Sequence, residues 1–420
     1  MSLIKDFNKA MANSKVRGAG NEAVFDVMYP TGLAGLDMLN AQRIFVDTPE
    51  RKFSYISCGI VDGSTNCFIS RSGAGKSTLS FQSGSHIILP FIRGAYECSS
   101  DCAVMFVDDI EGGLPHARRE FLSNMSSKEF EEHVVCRNTD ITTENVLERM
   151  TAIANMKLSN KDKYTYDTRL YDIFGNRIYK LVPTIYIIDS LALLMPEDIS
   201  DKEDLGTNAT GMSIAKQNTM LFKKINQLCK AANIMLLSMN HILPRPQLGF
   251  IPTQSQVDGL KPDERLAGAQ TVVYLANNIF RLDEKTTLKD SEGFGINGKV
   301  VDISLVKSRT NATRKSVSVI FDKSNGGYFD NDISLLYMLK QEGKIQGVGS
   351  TCRLDSCPDV KFSLKNFREV LANSEELRIA FSKECFDMLS KLPSNTVNQK
   401  AVERVNPVSD MIYQMALECQ

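Results

Sequence analysis

The stretch SRSGAGKSTL (residues 70–79) sets Gly73, Gly75, Lys76, Ser77 and Thr78 between an apolar run, NCFIS, and a run of helical character. Glycines in such a turn free backbone N–H groups to converge on an anion where side chains would obstruct them. A helix that follows aims its positive end at the same point. The spacing from Ser70 to Ser77 fits the phosphate-loop pattern G-x-x-x-x-G-K-[ST], with Ser70 where the first glycine stands. Ser70, Arg71, Ser72, Gly73, Ala74, Gly75, Lys76, Ser77 and Thr78 therefore form the candidate nucleotide site. Lys76 would reach the terminal phosphates and Ser77 would offer its hydroxyl to Mg2+, so ATP and Mg2+ are the expected cofactors. A plain Gly/Ser-rich turn is the other reading of these residues.

Outward from the loop, between about residues 66 and 321, short apolar runs alternate with helical ones. CFIS, CAVMFVD, HVV, TIYIID and NIMLLSMN read as strands, and TTENVLERMTAIANM and MSIAKQNTMLFKKINQLC read as helices. That alternation predicts an α/β fold with a mainly parallel central sheet flanked by helices, whose ligands sit at the carboxyl ends of the strands. The polar, tyrosine-rich segment 157–180 reads as an insertion ahead of TIYIID. TVVYLANNIFRLDE, KVVDISLVKS and KSVSVIF follow with little helix between them, which suggests antiparallel or mixed additions to the sheet. Three regions are expected: an N-terminal oligomerisation helix and linker (1–25), an ATPase core (26–330) and a small helical C-terminal domain (331–420). The N-terminal helix, with Leu3, Ile4, Phe7, Ala10 and Met11 on one face, would lie on its own domain or on a neighbouring subunit.

The 420 residues are 43% hydrophobic, enough for a sizeable core, and the formal net charge of -1 advertises no bulk affinity for nucleic acid. Any polyanion site must be local. No run reaches the roughly 18 apolar residues of a spanning helix, so the sequence predicts a cytoplasmic protein without membrane partners. The close pairs Cys98/Cys102 and Cys352/Cys357 lack the two-residue spacing usual for zinc, and reduced structural thiols are the reading adopted.

TIYIIDS ends a buried strand with Asp189, where a charge is costly unless a metal or hydrogen bonds engage it, so Asp189 is a candidate Mg2+ carboxylate. FVDDIEGG would bring Asp108, Asp109 and Glu111 to the same edge, with Glu111 the candidate to orient or deprotonate an attacking water. A solvated acidic turn is the alternative. In LVKSRT, Lys307 and Arg309 are two apart on a strand and project from one face, as suits cations that stabilise a transferring phosphoryl group from across a subunit interface. A solvated basic strand edge is the competing account.

Taken in order, PTGLAGLDML, SRSGAGKST, FVDDIEGGLP, YIIDSLALLMPED, LLSMNH and VKSRT resemble the successive ATPase motifs of the RecA family of recombinases, the phage UvsX branch most closely, over about residues 29–321. The resemblance implies a RecA-like P-loop ATPase core. It also implies a DNA-dependent ATPase that forms a helical homo-oligomeric filament on single-stranded DNA and pairs it with homologous duplex DNA in recombination and repair. Mediator and single-strand-binding proteins would be partners, in the cytoplasm of a bacterial or phage-infected bacterial cell. Glu111 would be the hydrolytic base, Asn240 and His241 would sense the terminal phosphate, His116 would lie near the adenine, and Lys307 and Arg309 would reach the neighbour's ATP. Loops 196–211 and 242–268 would line the filament axis, with Arg245, Phe250, Lys261 and Arg265 as the DNA-binding candidates. The first loop is acidic, and the second has as many acids as bases, so DNA binding follows from the resemblance rather than from charge. A DnaB-type ring helicase shares the core and the trans cation. A non-catalytic ATP-binding mediator or scaffold is the reading from another class.

Overall fold

The computed structural model describes residues 26–200, 208–245, 259–267, 275–288, 296–311, 313, 315–392 and 395–397. The N-terminal helix expected in 1–25, Phe250, and residues 201–207, 246–258 and 268 of the two long loops lie outside the described residues. Strands β1 (Met28–Tyr29), β2 (Gln42–Asp47), β3 (Lys52–Ser57) and β4 (Ile60–Val61) precede the core. The core strands are β5 (Thr65–Ser70), β6 (Met105–Asp109), β7 (Val134–Arg137), β10 (Thr184–Asp189), β11 (Ile234–Pro244) and β13 (Asn278–Leu288). A hairpin, β8 (Thr165–Tyr171) and β9 (Arg177–Leu181), occupies the expected insertion, and β12 (Glu264–Leu266) pairs with the end of β11. β14 (Gly298–Ser308), β15 (Lys315–Asp322) and β16 (Tyr328–Asp330) complete the sheet.

The sheet order is β16-β15-β14-β13-β5-β11-β10-β6-β7. From β13 to β7 neighbouring strands are parallel, and β14 to β16 add antiparallel. Strands in the middle of such a sheet are covered on both faces, so their side chains split by period two between two cores. Phe68, Ile185, Ile187, Met235, Leu237 and Met239 pack with Leu79, Phe81 and Ile88 of the helix Lys76–Ile92. Cys67, Ile69, Tyr186, Ile188, Ile234 and Leu236 face the other way, onto Val146, Met150, Phe222 and Ile225 of the helices Thr143–Ser159 and Asn208–Ala232. Each fully buried Phe, Leu or Ile contributes about 1.5–3 kcal/mol, and this two-sided burial fixes the register on which the site depends. Among the described residues, no helix is long and apolar enough to cross a membrane.

Two sequence expectations change. The segment after Asn331 is not wholly helical: between the helices Asn331–Gln341 and Phe367–Asn373 lie β17 (Ile345–Gln346), β18 (Cys352–Leu354) and β19 (Cys357–Phe362), an antiparallel sheet. These strands are too short, and their turns too glycine-rich, to set up a visible period. The segment shares a core with the antiparallel end of the main sheet, where Leu336, Phe362, Phe367 and Phe381 pack with Val300 and Ile320. Lys157, expected in a polar insertion, is fully buried at the end of its helix. Its amine donates to the Val182 carbonyl at 2.7 Å, Thr184 Oγ1 at 2.9 Å and the Asn233 carbonyl at 3.1 Å.

Candidate functional site

β5 delivers the chain to the carboxyl edge of the sheet between β13 and β11, and the helix Lys76–Ile92 starts directly after the turn. Gly73 and Gly75 take φ of +85° and +96°, a region that side chains disfavour. A Cβ on Gly75 would also stand 3.0 Å from the Phe329 ring. Ser70 is the last residue of β5 and has no positive φ, so the backbone does not require a glycine there. Its hydroxyl accepts from Lys76 Nζ at 3.0 Å and donates to the Arg71 carbonyl at 2.6 Å. The departure from the pattern thus ties the lysine into the loop. Lys299 of β14 donates to the Gly73 carbonyl from the other side and pairs with Glu284 at 3.2 Å.

The loop opens on a pocket of about 340 Å³ lined by Ser72, Gly73, Gly75, Lys76, Ser77 and Thr78, with Glu111, Gly113, Leu114, Arg118, His241, Phe321 and Gly326 facing them. Glu111 follows β6. Its Oε1 accepts from Ser190 Oγ at 2.6 Å and from His241 Nε2 at 2.7 Å, which requires the imidazole proton on Nε2. Burial raises the Glu111 carboxyl, but the hydrogen bonds from Ser190 and His241 and the charges of His241 and Lys76 outweigh it, holding the group below its ordinary value. An ionised carboxylate therefore shares the pocket with the 72–78 turn. Burial lowers the Lys76 amine, opposed by Asp189 and Glu111.

Asp108 and Asp109 have other work. Arg149 holds Asp108 at 2.6 Å, with the Tyr186 hydroxyl also donating to it, and Arg119 holds Asp109 at 3.1 Å. Of the three acids in FVDDIEGG, only Glu111 lines the pocket. Asp189, 4% exposed at the end of β10, receives a hydrogen bond from the Ser77 side chain. Burial, with the nearby charges of Glu111 and Asp109, pushes it up to about 6. Among the described residues, no group of three or more His, Cys, Asp or Glu side chains is arranged to cage a metal ion. The donor set would instead suit Mg2+, which keeps most of its waters and takes one hydroxyl, one nearby carboxylate and the phosphates of a ligand. Ser77 and Asp189 are the residues that would hold it.

The remaining predicted residues divide by place. Asn240 is buried. Its Oδ1 accepts from the His241 N–H at 2.8 Å and its Nδ2 donates to the Ala267 carbonyl at 3.0 Å, so it orients the strand end rather than facing the pocket. Ala74 is buried and Arg71 turns outward toward Glu264 at 3.4 Å. His116 is exposed, with its ring edge-on to Phe130 and outside the pocket. Two residues on, Arg118 fills that place: its Nη2 donates to Thr78 Oγ1 at 2.9 Å, and its buried Nε has no partner. Arg118, Ser190, Lys299 and Phe321 are pocket or loop residues that sequence reasoning missed; Ser190 alone carried a signal, as the neighbour of Asp189. Arg245 follows the end of β11, Lys261 precedes β12, and Arg265 lies within β12 opposite Leu243.

Lys307 and Arg309 lie at the opposite edge of the sheet. β14 begins beside the phosphate loop at Lys299, runs antiparallel to β13, and pairs Ser308 with Asn278, which itself pairs with Asn66 at the start of β5. Eight residues of strand at about 3.3 Å each put Lys307 roughly 25 Å from Lys299. Burial first, and then the charge of Arg309, push the Lys307 amine down to about 8. The chain matches no protein-family model, and no curated protein is similar to it at a significant level.

Proposed function

We propose that the protein is an ATP-dependent recombinase of the RecA type, which assembles on single-stranded DNA and pairs it with homologous duplex DNA. The observation that carries this reading is the pairing of Glu111 with His241 across the phosphate loop from Lys76, because one bond then joins a hydrolytic base to the strand that leads into residues 242–268. Glu111 is ionised and free to take a proton from water as that water's oxygen bonds to the terminal phosphorus of ATP. The bond to the bridging oxygen then breaks, releasing ADP and phosphate, with Lys76 and the loop amides bearing the charge that develops. Mg2+ on Ser77 would neutralise phosphate charge when bound.

Lys307 and Arg309 support assembly. Standing at the far edge of the sheet from their own phosphate loop, they serve a pocket only if it belongs to a neighbouring copy. ATP hydrolysis measured with and without single-stranded DNA tests the reading. Wild-type turnover should rise with DNA, and Glu111→Gln should bind ATP yet lose on the order of 100-fold or more in turnover, the usual worth of a positioned base. Unchanged turnover in that variant removes the base. Binding of ATP without DNA-stimulated turnover in the wild type makes the chain a nucleotide-binding scaffold instead.

A further inference from the structure

β11 ends at Pro244, and its last residues pair with β12, Glu264–Leu266. Both feet of the connection between them are pinned. The Arg245 N–H donates to the Asp263 carbonyl at 2.6 Å, the Ala267 N–H donates to the His241 carbonyl at 2.9 Å, and Ile242 pairs with Leu266. The returning foot is organised around one buried carboxylate, Glu264, 2% exposed. It accepts Arg281 Nη1 at 2.6 Å and Nη2 at 3.1 Å, and the Lys261 N–H at 2.9 Å. Arg281 in turn donates to the Gly259 carbonyl at 2.8 Å and pairs with Asp283 at 2.6 Å. A buried carboxylate needs this much pairing to offset its lost hydration.

Glu264 makes one further contact that the fold does not require. Its Oε1 faces Arg71 Nη2 at 3.4 Å, and Arg71, whose side chain is 68% exposed, is the second residue of the phosphate loop. With the Arg71 guanidinium in solvent and 3.4 Å away, this contact adds little to stability beside the Arg281 pairing. Its position is what matters, because it ties the second residue of the loop, whose next neighbour Ser72 lines the pocket, to the foot that carries Lys261 and Arg265.

We propose that Glu264 is a positioning residue through which occupancy of the phosphate loop sets the placement of residues 259–267, and with them Lys261 and Arg265. The proposal rests on reading residues 70–78 as a nucleotide site. A polyphosphate on the loop competes with Glu264 for Arg71, so the two states of the foot differ in their interaction with the ligand, as any ligand-driven shift demands. By linkage, a polyanion engaged by Lys261 and Arg265 changes nucleotide affinity by the same factor.

The test uses the full chain with ADP. Calorimetry measures binding, and hydrogen exchange follows the Arg245, Lys261 and Ala267 amides with and without saturating ADP. In the wild type, ADP should change exchange at these amides by about fivefold or more, the low end of ordinary coupling. Glu264→Gln should still bind ADP, keep its melting temperature in the absence of ligand to within a few degrees through Arg281 and Asp283, and lose the response. Arg71→Gln, which leaves the Glu264–Arg281 pair intact, should lose it too and decides the matter alone if Glu264→Gln does not fold. A full response in either folded variant, or no response in wild-type protein that binds ADP, overturns the proposal. Absence of ADP binding by the wild type fails the nucleotide reading itself and takes this inference with it.

Discussion

Replacing Asp189 by asparagine should stabilise the chain while damaging its chemistry. Asp189 is 4% exposed, and burial, helped by the charges of Glu111 and Asp109, pushes its carboxyl from 3.8 up to about 6. Two pKa units correspond to on the order of 3 kcal/mol against the folded state once the group is ionised in both states. Asparagine keeps the shape and can still accept from Ser77, but its new N–H groups need partners, so the expected gain is about 1–3 kcal/mol. The sign follows from proton counting. Below pH 3.8 the carboxyl is neutral in folded and unfolded chains and carries no penalty. Between 3.8 and about 6 the folded state binds more protons, so wild-type stability falls as pH rises, and above about 6 the penalty is complete. Urea unfolding at pH 4 and pH 7 should therefore give an Asp189→Asn advantage that is small at pH 4 and full at pH 7. With Mg2+ and ATP the gap should narrow, because ligand bound to the folded wild type stabilises it by mass action. A difference between the two proteins that is the same at both pH values would refute the assignment of that strain to the Asp189 charge.

Three other outcomes follow from the same geometry. Equal mixing of Glu111→Gln with the Lys307→Ala/Arg309→Ala double variant should restore DNA-stimulated hydrolysis in about one quarter of the interfaces of a randomly mixed head-to-tail assembly, although each alone is inactive; no recovery in steady-state assays would mean that the cations do not act in trans. Gly75→Ala should cost on the order of 1–3 kcal/mol in thermal or urea unfolding, since φ is +96° and the Cβ meets Phe329 at 3.0 Å; wild-type stability would show that this turn is not held. Burial pushes the Lys157 amine down to about 7, so between pH 7 and 10 the unfolded state binds more protons and stability rises with pH; unfolding titrations should show that rise in the wild type and not in Lys157→Met.

The parts of the fold that sequence made legible are those whose physics is local. TIYIID and NIMLLSMN are continuous apolar runs because both faces of the sheet are covered, and the turn at Gly73 and Gly75 is visible because positive φ demands glycine. The site is less legible because its assignments depend on partners far away in the chain. FVDDIEGG offers three acids, and the choice among them is made by Arg149 and Arg119, which capture Asp108 and Asp109, and by His241, 130 residues from Glu111. Likewise His116 and Arg118 lie on one short helix, and only its packing against Phe130 on one side and Thr78 on the other decides which of them faces the pocket. Lys157 misled for the opposite reason: a lysine in a polar stretch reads as solvated until three acceptors from other elements converge on it.

The two edges of the sheet also constrain the form of any assembly that shares a pocket. The phosphate loop and Glu111 occupy the carboxyl edge of the parallel strands, and Lys307 and Arg309 occupy the amino edge. An interface that joins these surfaces is heterologous, because each copy gives one edge and receives the other. Two-fold pairing would have to bring both edges of both copies together, and a strand length of sheet stands between them. Repeating the contact therefore propagates, into a ring if the rotation closes and into a helix if it does not. In such an assembly polymer growth and hydrolysis would share one contact, and removing the charges of Lys307 and Arg309 should weaken both together in sedimentation and turnover measured on the same samples.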